Sequence, residues 1–377
     1  MFPDLAWPSA SLPAEAGLLR KEVRAFLQQV LPAGYRPNSD FGSGGDAAFS
    51  RQLGQQGWIG MTWPKKYGGH ERSFFERYVV TEELLAAGAP VGHHWIADRQ
   101  SGPLLLKFGT EKQRATYLPG IAAGEIFFSI GMSEPDSGSD LASIRSLARP
   151  VEAGYLLNGR KLWTSGADHN HYMIALVRTE PGSERHAGLS QVILDLKAEG
   201  LSVRPIRSMT GQYHFNEVVF EDVFIPQEQL VGKPGNGWHQ VTSELGYERS
   251  GPERFLSTFR VLVELVGCAS EAHSDRMLIL IGRLVAHLMT LRRMSISVAA
   301  MLEAGNNPVI EAALVKELGN NFEKTIPELA RLALEGRASG QMQATLEDAL
   351  LHMPSFTIRG GTREILRGII ARSLGLR

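Results

Sequence analysis

The sequence predicts an α+β fold, with helical domains at both ends and a β domain between them. Three changes of texture carry that expectation. Up to about Tyr117 the apolar residues recur at intervals of three and four; between about Gly120 and Gly235 they gather into short β-branched and aromatic runs; from Trp238 the helical spacing returns. The boundaries read from this pattern are 1–119, 120–235 and 236–377.

Each element follows from the same reasoning. Leu18, Leu19, Val23, Phe26 and Leu27 repeat at helical intervals, and so do Phe75, Tyr78, Val79 and Leu84. Glycine and proline clusters at 32–37, 41–45 and 64–69 break these helices. In the middle segment, 172–177, 191–196 and 218–220 are β-rich runs, bounded by Pro181-Gly182, Glu199-Gly200 and residues 209–212. Helical spacing in the last segment covers 255–266, 277–302, 309–334 and 362–374. No internal repeat or low-complexity tract is visible.

Composition narrows the function. The chain has 377 residues, enough for two or three domains, and is 43% hydrophobic and 21% charged, as a globular enzyme would be. Lys plus Arg number 39 against 40 Asp plus Glu, so no global field exists to recruit nucleic acid or an anionic membrane. Cys268 is the single cysteine, which excludes an intrachain disulfide and a multi-cysteine metal site; its apolar setting, 262–268, predicts an inert packed thiol. No secretory leader or membrane span is read, so a cytoplasmic location is expected.

The most informative stretch is Gly131-Met-Ser-Glu-Pro-Asp-Ser-Gly-Ser-Asp140, with Trp163-Thr-Ser-Gly166 beyond it. Ser133, Ser137 and Ser139 offer small hydroxyls, Gly138 admits a close backbone approach, and Trp163 can shield the face of a planar ring. A redox-active ring with a phosphate tail needs that inventory, although a polar turn would share its composition. Gly42, Gly44 and Ala47 fit a nominal dinucleotide fingerprint, but no β-rich run precedes them. His93-His94 and His169-Asn-His171 lack the helical i, i+4 spacing of a zinc site, so no metal is predicted.

Taken with Gly57-Trp-Ile-Gly-Met-Thr-Trp63, Gly109-Thr-Glu-Lys-Gln113, Asn158-Gly-Arg-Lys161, Phe215-Asn-Glu-Val218 and Gly360-Gly-Thr-Arg-Glu-Ile365, this loop resembles the acyl-CoA dehydrogenase family over nearly the whole chain and in the family's order. The resemblance implies an N-terminal helical domain, a central β-barrel and a C-terminal four-helix bundle. It implies FAD as cofactor, an acyl-CoA substrate, an electron-transfer flavoprotein as partner, and a homo- or hetero-oligomer, commonly a dimer of dimers. By the same resemblance Ile130, Met132, Ser133, Ser139, Trp163, Thr164 and Ser165 hold the flavin, with Thr362 and Glu364 at its adenosine end. Ser139, Arg249, Gly360 and Gly361 fall to the substrate. The activity implied is α,β-dehydrogenation in fatty acid or steroid side-chain β-oxidation.

The chain also departs from the family's commonest pattern. Gly360 stands where many members carry the catalytic glutamate, and glycine cannot take a proton. Other members supply that carboxylate from the first long helix of the bundle, and the matching position here is Glu248, in Leu245-Gly-Tyr-Glu-Arg-Ser250. Glu248 is therefore the expected base. The Arg-x-x-Phe-Gly segment that grips a neighbouring subunit's cofactor is missing, its region reading 269–276, and residues 349–355 replace a glycine-rich segment. These losses leave open a non-catalytic partner subunit of a heteromeric dehydrogenase; a further alternative is a flavin oxidase or monooxygenase on the same fold.

Overall fold

The computed structural model describes residues 7–37, 39–40, 42, 44–248, 251–272 and 275–376, without the side chains of 244–248 and 270–272. Its helices are α1 (Ala16–Val30), α2 (Ala47–Gln55), α3 (Phe74–Ala86), α4 (Gly92–Ile96), α5 (Gly102–Phe108), α6 (Glu111–Ala122), α7 (Gly237–Glu248), α8 (Phe259–Ala272), α9 (Asp275–Glu303), α10 (Val309–Leu334), α11 (Gly340–Phe356) and α12 (Arg363–Ser373). Its strands are β1 (Phe128–Gly131), β2 (Leu147–Val151), β3 (Gly154–Ser165), β4 (Tyr172–Arg178), β5 (Leu189–Asp195), β6 (Leu201–Ile206), β7 (Phe215–Pro226) and β8 (Leu230–Val231). The order is the expected one: helices, strands, helices.

The chain folds into two compact units, and neither is one continuous stretch. Residues 1–44, 72–90 and 246–377 form a helical unit, while 45–71 and 91–245 form a mixed unit. The N-terminal helices are thus shared out: α1 and α3 join the C-terminal helices, and α2, α4, α5 and α6 join the strands.

In the helical unit, α1 buries Ala16, Leu19, Val23 and Leu27, a three-four-four spacing that makes one apolar face. A capping box of Ser73 and Glu76 opens α3 by satisfying its first free amides. The two helices are joined through charge. Arg20 and Arg24 of α1 pair with Glu82 and Glu83 of α3, and Arg292 of α9 reaches Glu82 at 2.6 Å. The helix α10 is central, burying Ala312, Val315, Phe322, Ile326 and Ala330 and contacting α8, α9, α11 and α12. Pattern reading places α9 and α10 closely. It starts α8 too early, because Pro252–Arg254 make a separate 3-10 turn before the helix begins. No helix among the described residues is long and apolar enough to cross a membrane.

In the mixed unit, eight strands form one sheet in the order β6-β7-β3-β2-β4-β5-β8, with β1 added parallel to β4. Most pairings are antiparallel; a short parallel contact, Leu147 with Arg178, ties β2 to β4. The inward residues of six strands share one core, in which Leu157, Met173, Val177, Val192, Val218 and Val223 have no exposed surface. The sheet therefore curls round that core, while among the described residues no ladder joins β6 to β8. Strand β4 is buried along its whole middle, which is why Tyr172–Val177 reads as a continuous apolar run without alternation.

Candidate active site

Seven of the residues expected at a flavin lie in the mixed unit, and two strand ends assemble most of them. Ile130 is in β1, Met132 and Ser133 follow directly, and Trp163, Thr164 and Ser165 end β3. The two segments are fastened together: the Ser129 hydroxyl donates to the Ser165 carbonyl at 2.8 Å, and the Leu162 amide donates to the Ser133 carbonyl at 2.9 Å. A Cβ at Gly131 would fall 1.8 Å from the Met173 methyl and 3.1 Å from the Lys161 side chain, so any larger residue at the junction would make Met173 shift.

A buried ion pair holds the loop that follows. Lys161, with no exposed surface, donates to Glu134 at 2.8 Å and to the Met132 carbonyl at 3.1 Å. Glu134 in turn accepts the amides of Arg145 and Ser146 at 2.6 and 3.0 Å. Burial pushes the Lys161 ammonium down to about 8 against the pull of Glu134. Burial also works against the charge on Glu134, but Lys161 and the amides outweigh it and hold the carboxyl below its usual range. The loop between the two ends is thereby fixed at its base and open at its tip, where Gly138 has nothing within 4 Å of a built Cβ and Ser139 is exposed.

Trp163 has a left-handed backbone, φ 61°, at a register shift in the β3–β7 ladder, and its indole is 56% exposed. A bulge with a large residue at positive φ is strained backbone of the kind that aims a side chain. Next to it Thr164 is wholly buried, its carbonyl accepts from Asn216 at 3.1 Å, and its hydroxyl has no partner among the described residues. Behind β1 the half-buried Met132 packs with Trp238 and Val241 of α7 on a core of Ile144, Leu176 and Leu189.

The remaining candidates belong to the helical unit. Gly360 and Gly361 both have positive φ, 60° and 93°, a conformation that penalises any side chain. Lys316 of α10, also without exposed surface, donates to the carbonyls of Arg359 and Gly360. The Arg359 guanidinium pairs with Asp40 at 2.6 Å and bonds the Ser257 hydroxyl at 3.1 Å. Thr362 caps α12 and Glu364 lies in its first turn, where the helix's own amides and Thr362 lower its pKa. Residues 349–355 form the last turns of α11. Glu248 is the last residue of α7 and only its backbone is described; Arg249 lies outside the described residues.

His94 is buried and bonds the Ser50 hydroxyl at 2.9 Å, while His93 sits edge-on to His169 with ring centroids 4.4 Å apart. No group of three or more metal-ligating side chains occurs among the described residues. Sequence reasoning missed the Lys161–Glu134 pair and the Lys316 clamp. Both lysines sit inside runs that otherwise read as strand or helix, and the sequence marks neither as buried.

Comparison with known proteins gives the class of the molecule. Residues 13–125, 129–223 and 235–375 match the N-terminal, middle and C-terminal domains of acyl-CoA dehydrogenase, so the chain belongs to that family, whose members are FAD-dependent oxidoreductases. Among individual proteins, it is 31% identical to the acyl-CoA dehydrogenase FadE26 of Mycobacterium tuberculosis over 95% of this chain and 96% of that one. The acyl-CoA dehydrogenase IpdE1 of the same organism is 32% identical, over 95% and 97%. Among solved structures, the Tcur3481-Tcur3483 steroid ACAD superposes with a TM-score of 0.88 at 30% identity, covering 97% of this chain and 99% of that one. The ChsE4-ChsE5 complex from Mycobacterium tuberculosis gives 0.82 at 29%, covering 97% and 98%.

The residues present fit FAD. The orphaned Thr164 hydroxyl, the exposed Trp163 indole and the half-buried Met132 and Ser133 are an incomplete set that a polar-edged aromatic ring would complete. Ser139 and the bare Gly138 leave the loop tip accessible to a charged group.

Proposed function

We propose that the enzyme oxidises an acyl-CoA thioester to its trans-2-enoyl-CoA, with the Glu248 carboxylate as the base that takes the α proton. The observation supporting this is Gly360. Its positive φ and its carbonyl held by buried Lys316 make that position unsuited to a glutamate side chain, so the carboxylate has to come from another element. Bound FAD supplies the two-electron acceptor for the β hydride. Ile130, Met132, Ser133, Trp163, Thr164 and Ser165 would hold its ring and Ser139 its phosphate side, while Thr362 and Glu364 are the helical unit's candidates for an adenosine end. An electron-transfer flavoprotein takes the electrons onward. The absence of side chains at Gly360 and Gly361 and the steroid ACAD among the similar structures support a bulky, ring-bearing acyl group. Relatives solved as two-chain complexes support an assembly of several chains.

A second buried carboxylate serves as the control: Glu253 lies 3.9 Å from the Arg254 guanidinium. Glu253 is 4% exposed and its Oε2 has no partner among the described residues. Anaerobic mixing of the FAD-loaded enzyme with a panel of fatty and steroid acyl-CoAs, read as flavin bleaching, decides between them. Glu248→Gln is expected to slow bleaching about a thousandfold, the scale of a lost general base, and Glu253→Gln to leave it within about twofold. The reverse result moves the base to Glu253. Full bleaching by both variants overturns the proton-abstraction scheme. Rapid reoxidation by air would point to an oxidase instead.

A further inference from the structure

Three features meet at the end of β3. Trp163 has its left-handed backbone, Thr164 buries a hydroxyl with no partner among the described residues, and side chains hold the carbonyls of Thr164 and Ser165. Those side chains come from different elements. Asn216 faces Thr164 across the β3–β7 ladder and donates to its carbonyl at 3.1 Å. Asn170, between β3 and β4, donates to the Ser129 hydroxyl at 2.9 Å, and Ser129 donates onward to the Ser165 carbonyl at 2.8 Å. Each asparagine uses its amide a second time as an anchor: Asn216 on the Asp168 carboxylate at 3.1 Å, Asn170 on the Phe128 carbonyl at 3.0 Å. Asp168 is itself braced, its Oδ1 lying 3.0 Å from Nδ1 of His169.

Packing alone does not call for an amide on β7 here. Asn216 shares the inward row of the strand with Val218 and Phe220 and has no exposed surface, so an apolar side chain is the default there. Its Oδ1 makes no hydrogen bond among the described residues, and a buried acceptor left unpaired is destabilising. The left-handed Trp163 is a second local cost a residue away, and costs gathered at one point mark a functional site. On the reading that residues 163–165 hold the flavin ring, we propose that Asn216 and Asn170 are positioning residues for it. They act through the backbone: by fixing two successive carbonyls they set the bulge that aims the Trp163 indole and the Thr164 hydroxyl. A bulge disrupts the ladder locally, so side-chain amides supply the donors that a regular strand pair would give. The Phe215-Asn-Glu-Val218 segment thereby acquires a task at the cofactor.

FAD titration and urea unfolding of the full chain test this together. Asn216→Asp keeps the shape of the side chain but loses its donors, and should weaken FAD binding about tenfold and lower the urea midpoint. The double variant N216D/D168N regains a bond between those two side chains but still gives the Thr164 carbonyl no donor. Its urea midpoint should therefore recover while FAD binding stays weak. Ser129→Ala removes the donor to the Ser165 carbonyl by deleting one oxygen, and should also weaken FAD binding with a near-wild-type midpoint; it carries the test if the β7 variants do not fold. FAD affinity that recovers along with stability in the double variant, or that is unchanged in Ser129→Ala, overturns the proposal and leaves the asparagines as fold-stabilising groups only. Thr164→Val separates the two readings. If it weakens FAD binding and the other variants do not, the positioning role alone falls; if none of them weakens it, the placement of the ring falls as well.

Discussion

Lys161 and Glu134 show how much one residue pair can set. Glu134 sits inside the loop motif that the sequence makes conspicuous, but its partner is 27 residues away and buried on the strand that ends in Trp163. Removing one partner of a buried pair leaves the other charge uncompensated, which costs about 3–5 kcal/mol. Lys161→Met should therefore lower the urea midpoint strongly and release FAD, whereas Lys161→Met with Glu134→Gln should recover part of the stability; equilibrium unfolding of both variants measures this. Thr164 has the opposite character. Its hydroxyl makes no bond among the described residues, so Thr164→Val should leave the apoprotein's stability unchanged and weaken FAD binding about tenfold, one hydrogen bond's worth, in a fluorescence titration. The sequence makes the serines and Trp163 candidates for a ring because their chemistry is in the side chain, and Gly138 because it has none. The left-handed backbone of Trp163 is not legible there, because a bulge is a property of two strands in register.

Among the elements, α9 and α10 were readable because their buried positions repeat over many turns. Helix α11 was harder: Met342, Leu346, Ala349, His352 and Phe356 make its inner face, but a histidine and the internal Pro354 obscure the period. The short strands β1 and β8 offered too few residues for alternation to show. The contact of α2 with α4 has a consequence for pH. Burial pushes His94 of α4 down to about 4 from 6.5, so the unfolded chain binds the extra proton first as the pH falls. The stability held by the neutral ring is complete above about pH 6.5 and is lost progressively toward pH 4, by about 3 kcal/mol. Urea midpoints measured across that range should fall more steeply for the wild type than for His94→Gln, which keeps a polar partner for Ser50 but cannot ionise.

At the scale of the whole molecule, the order of helical and β-rich segments was written in the sequence, but the sharing of the N-terminal helices between two units was not. Hydrophobic period reports that a helix buries a face, never which distant segment covers it. In the helical unit the answer lies in long-range charge pairing, with Glu82 of α3 receiving Arg20 from α1 and Arg292 from α9. Glu82→Gln should cost about 3 kcal/mol and speed hydrogen exchange together in α1, α3 and α9 while leaving the sheet's protection unchanged. Equal deprotection of the strands would show that the two units unfold as one.

The split helical unit also bears on how the chain is made. Its first two pieces, 1–44 and 72–90, leave the ribosome long before 246–377, the piece that completes their core. At about 5–20 residues per second the nascent α1 and α3 wait on the order of ten seconds or more with their greasy sides uncovered, while the strands that follow them can already close. Synthesis speed and chaperone supply, rather than final stability, should then govern the yield of this enzyme in a foreign host.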